Sequence, residues 1–177
     1  MIIFQPGNRL KVRHNDVADN LEAGQMALII KNVDWTSAKD KLTKLREKVF
    51  VYEWRIPKEV EFDRQDTAAY HILLLDEAGA EIATGRLTPE GEIGRIAVLN
   101  SCRKPEVYQQ LFAALLAIAE QQGMQTVSVQ CELEGVNYYQ QQGFRPVGAV
   151  YMDAGIPRQR MSCSIKQFSL PKVEFTH

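Results

Sequence analysis

The residues best placed to do chemistry lie in one stretch, EIGRIAVLNSCRKPEVYQQLFAALLAIAEQQG, from Glu92 to Gly123. Arg103 and Lys104 stand directly before Pro105, which takes the place of a first helical residue, where its missing N–H costs nothing. Upstream, Ile93, Ile96, Val98 and Leu99 form an apolar, largely β-branched run of strand length. Downstream, Val107, Leu111, Leu115 and Ile118 recur at helical spacing, and Gly123 is a natural stop. A strand feeding a helix start turns unpaired backbone N–H groups and a positive dipole end toward the loop. That arrangement suits an anion, most often a phosphate. The same order of residues also fits a plain β–α connection that binds nothing.

Two further places carry titratable groups. The segment VYEWRIPKEVEFDRQD holds Glu53, Glu59, Glu61, Asp63 and Asp66. It reads either as a solvated loop with a short helix after Pro57 or as an acidic surface that attracts a cationic amine. His71 titrates near neutrality and opens a strand, where a histidine serves either as a base or as a satisfied packing residue. Cys131 alternates with Val127 and Val129 and reads as a small core residue.

The elements that must hold these groups follow from periodicity. Met26–Lys31 is a strand, and Thr36 or Ser37 caps a helix whose Leu42, Leu45, Val49 and Phe50 face inward. Tyr70–Asp76, Glu81–Leu87 and the strand from Glu92 make an antiparallel meander with turns at EAGA and TPEG. After the long helix come strand Thr126–Cys131, helix Glu134–Gln142, strand Phe144–Val150 and a final strand Arg158–Phe168. The order is β-α-α-β-β-β-α-β-α-β-β, an α/β chain in one domain. Residues 1–25 form an extension, 26–168 the domain and 169–177 a tail. The N-terminal strands and the final strand offer edges for a possible homodimer.

Composition narrows the class. The chain has 177 residues, 45% of them hydrophobic and 24% charged, enough for one packed core. A formal net charge of −1 gives no electrostatic case for nucleic acid, and no apolar run reaches the ~20 residues of a membrane span. Three widely spaced cysteines and three histidines argue for reduced thiols in the cytoplasm and against a metal site.

On the segments LREKVFVYEWRIPKEVEFD (45–63), ATGRL (83–87), GRIAVL (94–99), GVNYYQQQGF (135–144) and YMDAGIPRQRM (151–161), the chain resembles the GNAT N-acetyltransferase superfamily, and within it a small bacterial ElaA-like branch. The resemblance implies an acyl-CoA N-acyltransferase fold: a mixed, mostly antiparallel central sheet flanked by helices. It implies acetyl-CoA or another acyl-CoA as donor and a small-molecule or protein amine as acceptor, joined by direct attack of the amine on the thioester. Ile96, Ala97 and Val98 would offer backbone groups to the pantetheine. The loop and helix start, Arg103, Lys104, Glu106, Val107 and Tyr108, would hold the pyrophosphate. Tyr139 maps onto the tyrosine that protonates the leaving thiolate, with Tyr138 as its core-facing neighbour. Glu53 and His71 lie in segments expected near the acceptor and are the candidate bases.

The family's loop signature is Q/R-x-x-G-x-G/A, and the matching residues run from Arg103 to Tyr108. Arg103 is kept, but Glu106 and Tyr108 replace the two small residues. A glutamate side chain blocks the close backbone approach that glycine permits and adds a negative charge where an anion should sit. Pro105 removes a donor. Two functions are therefore open: an acyltransferase with a modified donor loop, or a GNAT-fold binding or regulatory module that has lost acetyl-CoA binding.

Overall fold

The computed structural model describes residues 28–168 apart from Ala154. The N-terminal strands expected before residue 26 and the tail after 168 lie outside the described residues. A seven-stranded sheet runs in the order β1-β2-β3-β4-β5-β7-β6. Its strands are β1 (Ile29–Val33), β2 (Tyr70–Leu75), β3 (Glu81–Leu87), β4 (Glu92–Val98), β5 (Thr126–Glu132), β6 (Arg145–Asp153) and β7 (Ile156–Ser164). Every neighbouring pair is antiparallel except β4–β5, which runs parallel because helix α3 (Pro105–Gln121) provides the crossover. The mostly antiparallel α/β sheet expected from the sequence is the sheet observed.

Helix α1 (Trp35–Arg46) is capped by a different residue from the one expected. The Asp34 carboxylate, not Thr36 or Ser37, is the cap, accepting the Ser37 N–H at 2.9 Å. Helix α1 continues directly into a π-helical segment, Glu47–Glu53, and then α2 (Lys58–Glu61) and a 3-10 turn (Arg64–Thr67) cross toward β2. Helix α3 packs on one face of the sheet with Ile96 and Val98, and the π-helical segment packs on the other with Ala97. Helix α4 (Val136–Gln141) follows β5 and closes the α3 side with Phe144 and Tyr139. Residue types explain the faces: β5 alternates buried Val127, Val129 and Cys131 with more exposed neighbours, as a strand covered on one side must.

The final strand is not an edge. β7 lies between β5 and β6, and β6 is outermost with all nine residues exposed. The last two strands also differ from their expected bounds, because β6 runs on to Asp153, β7 starts at Ile156 and the chain leaves the sheet at Ser164.

Two features of β4 open the sheet. It pairs with β5 only at Glu92↔Ser128 and Ile93↔Val129, so the two strands part beyond Ile93. In the same place its pairing with β3 slips: Gly94 to Ala97 spans three residues against two from Arg86 to Thr84. The extra residue is a bulge at Arg95, which sits at φ 50°, in the left-handed region that side chains rarely adopt. Before the gap, Gly91 (φ 85°) turns the chain so tightly that a Cβ there would lie 2.8 Å from the Thr126 carbonyl oxygen. Gly91→Ala should therefore cost more than an ordinary glycine replacement, about 2–3 kcal/mol in urea unfolding. A loss under about 0.5 kcal/mol would contradict this account of the turn.

Candidate functional site

The gap between β4 and β5 opens at the carboxyl ends of the two strands, where open sheets hold ligands. Ile96 and Val98 face the α3 core, Ala97 faces Phe50, and all three side chains are buried. What this stretch turns toward the gap is therefore backbone. Tyr139 stands on the β5 bank, buried in the main core beside Phe144, at 5.4 Å between ring centroids. Cys131 lies close by, since a Cβ on Gly135 would meet both Cys131 and Tyr139. Burial pushes the Tyr139 phenol far above its ordinary pKa, so it stays protonated at neutral pH. Tyr138 is the half-exposed member of the pair, which reverses the expectation that it would be the core aromatic.

The β4 bank carries the loop. Its backbone donors are turned inward. Cys102 N–H donates to Leu99 O (2.8 Å), Arg103 N–H to Asn100 O (3.4 Å) and Lys104 N–H to Cys102 O (2.8 Å). The last bond encloses Arg103 at φ −75°, ψ 75°, an inverse γ-turn. Val107 and Tyr108 N–H groups both reach Lys104 O, and Pro105 has none. Among the described residues of this first turn, only the Glu106 N–H lies outside these bonds. Lys104 and Glu106 are exposed, Val107 is core, and Tyr108 is half-buried against the main cluster with Arg103 and Glu53 as charged neighbours.

Arg103 is fully engaged. Both terminal nitrogens grip Glu53, each at 2.6 Å, its Nε donates to Val98 O at 3.1 Å, and Nη1 also reaches Asn100 Oδ1 at 3.3 Å. Its guanidinium lies over Trp54, 5.7 Å from the ring centroid. The hydrogen bond from Arg103 holds the Glu53 carboxyl below its usual range and raises Arg103 in turn. Glu53 thus reaches the mouth of the gap, placed there by the π-helical segment, a local distortion that recurs at functional sites.

His71 is not at the gap. It is buried with its Nε2 2.8 Å from Asp66 O; a carbonyl only accepts, so this nitrogen carries the proton. The acidic segment is likewise not a lure for cations. Glu61 and Asp66 are 1% exposed and held by Arg46: Nε to Glu61 Oε1 and Nη1 to Asp66 Oδ1, both 2.7 Å, with Nη2 to Glu61 O at 2.8 Å. Arg86 Nη1 bonds Asp63 Oδ1 (2.7 Å) and Asp66 Oδ1 (2.9 Å). Arg95 completes the cluster through Asp63 Oδ2 (2.9 Å) and Glu61 O (3.0 Å). Three guanidinium groups meet three carboxylates, so the knot is neutral with His71 uncharged. Burial alone would raise the Asp66 carboxyl, but the bonds and charges of Arg46 and Arg86 outweigh it and hold it low. Sequence reasoning missed this knot. A signal existed: Arg46 occupies the Leu42/Leu45/Val49 stripe of the helix, a position for an apolar residue unless buried acids await it.

A family model for the acetyltransferase (GNAT) domain matches residues 38–165. The chain belongs to the GNAT acetyltransferase family. Among curated relatives, the Bacillus subtilis protein named Uncharacterized N-acetyltransferase YjcF is 31% identical over 121 residues, 66% of this chain and 86% of that protein. Among solved structures, Escherichia coli ElaA is similar at 26% identity with TM-score 0.65, covering 77% of this chain and 99% of that one. An acyl-CoA N-acyltransferase from Pseudomonas aeruginosa is similar at 25% identity with TM-score 0.65, covering 78% and 99%. In this chain the parted β4–β5 pair is the frame on which the residues from Pro105 to Tyr108 sit.

Removing one member of the knot leaves buried charges of the other sign. Arg46→Met should cost about 3–5 kcal/mol in chemical denaturation, and a loss below about 1 kcal/mol would show the knot to be incidental. Burial, the leading cause, lowers the His71 pKa in the fold, so the unfolded chain takes up that proton first. Stability should then fall as pH drops below about 6.5, the unfolded value. His71→Gln should flatten that limb; an unchanged slope between about pH 6.5 and 5 would contradict it.

Proposed function

We propose that this chain transfers an acyl group, acetyl in the first instance, from a CoA thioester to an amine. The observation that carries this reading is the parting of β4 and β5 beyond Ile93, which leaves the backbone of Ile96–Val98 without strand partners on the β5 side. The residues fit an extended thioester donor there: β4 backbone groups suit the amides of a pantetheine arm, and the α3 start with Lys104 suits the diphosphate end. The donor supplies an activated carbonyl. On this reading the β4 backbone holds that carbonyl in line with the amine, and the buried Tyr139 hydroxyl, which stays protonated, faces the departing sulfur as its proton donor. Of the two candidate bases named from the sequence, Glu53 is the one that lies at the gap.

A second reading, a binding module without transferase activity, is favoured by one observation: the loop spends its donors on itself and Arg103 on Glu53. Calorimetric binding of acetyl-CoA followed by a transfer assay across small amines and lysine peptides separates the two. At a hundred times its dissociation constant a bound donor should add about 2.7 kcal/mol of stability. Tyr139→Phe should lower kcat about a hundredfold or more with KM for the donor little changed. Native activity in that variant would remove Tyr139 from the chemistry, and no binding of any acyl-CoA would favour the module.

A further inference from the structure

We infer that Glu53 competes internally for the donor's diphosphate: a CoA thioester docks by taking Arg103 from Glu53, and so frees the Glu53 carboxylate at the mouth of the gap. The inference rests on the proposed CoA donor and adds to it the residue that selects that donor. Arg103 is the arginine next to the α3 start, the end of a helix that attracts anions, yet its fork is already filled by a carboxylate in the two-point geometry that a phosphate would use. The grip also draws Arg103 Nε onto Val98 O, the last carbonyl of β4. While the pair is closed, the guanidinium therefore covers both a backbone acceptor of the gap and the charge beside the helix start.

The pair is placed to exchange. Arg46 and Arg86 are sealed inside the knot at 1–2% exposure, and no solvent-borne anion reaches them. Glu53, by contrast, has a side chain 36% exposed, and the Arg103 side chain opposite it is 9% exposed. Glu53 offers one negative charge, whereas a diphosphate brings at least two and gains Lys104 as a second cation. When a binding-competent state is only a fraction of the population, apparent affinity falls by that fraction. A pair closed nine-tenths of the time would weaken donor binding about tenfold. A thioester lacking the diphosphate has nothing with which to take Arg103, so Glu53 also makes binding discriminate between a whole CoA donor and its pantetheine fragment.

Titration calorimetry on the full chain tests this, with acetyl-CoA and S-acetylpantetheine as the two ligands. Glu53→Gln should bind acetyl-CoA about five to ten times more tightly and acetylpantetheine within about twofold of native. Arg103→Gln should bind acetyl-CoA about tenfold more weakly, and the double variant should be no tighter than Arg103→Gln alone. Glu53→Asp keeps the charge but shortens the reach, and gives a smaller gain of the same sign should the Gln variant fold poorly. A pair that only braces the loop would weaken acetyl-CoA in both single variants, and that result overturns the inference, as does an equal gain with both ligands. Acetyl-CoA binding to native protein with Glu53→Gln unchanged overturns the exchange alone. Failure of every variant to bind acetyl-CoA overturns the donor reading with it.

Discussion

The buried knot of Arg46, Arg86 and Arg95 with Glu61, Asp63 and Asp66 is the constraint on which the site depends. It joins α1, the segment 61–66, β3 and β4, and it does so at the residue where β4 bulges. Left to local preference, Arg95 would not hold φ 50°, a left-handed conformation. Such a conformation costs an L-residue about 1–2 kcal/mol. Its Nε on Glu61 O and its Nη2 on Asp63 keep it there. The bulge adds one residue to β4 opposite β3 and lies just beyond the last pair that β4 makes with β5. The same charges that fill the interior thus accompany the departure of β4 from its parallel neighbour, where the candidate site lies.

Around that gap the family frame and the local chemistry pull in different directions. The frame supplies a dipole end, a backbone edge on β4 and a protonated phenol on the other bank. The loop answers with Pro105, Glu106 and Tyr108 in place of bare backbone, and with N–H groups bonded to Leu99, Asn100 and Cys102 carbonyls. The Tyr108 ring rests half-buried against the core, with Arg103 and Glu53 as its charged neighbours. The opposition comes from Glu53, fifty residues away in sequence, which no reading of the loop alone would place there.

Periodicity and turn chemistry made the architecture legible. The strand–helix order, the buried face of β5 and the stop at Gly123 all follow from residue spacing, because these are local consequences of backbone geometry. The charged residues were not legible in the same way. Glu61 and Asp66 look like solvated loop acids until Arg46 and Arg86 are folded against them, and partners fifteen and twenty residues apart leave no periodic trace. His71 looked like a base because its type titrates near neutrality, and burial beside Asp66 O removes it from that role. Tyr138 and Tyr139 are adjacent, so motif alone could name the second, but helix rotation decided which one is buried.

A thioester donor lying along β4 in the gap beyond Ile93 would cover backbone that is otherwise free of a strand partner on that side. Amide hydrogen exchange of the full chain, with and without saturating acetyl-CoA, reads this directly. New protection should concentrate at residues 95–98 and at the loop 100–108, with the β1–β2 and β6–β7 pairs unchanged. Protection confined to other surfaces, or none along β4 while the ligand is demonstrably bound, would contradict the account.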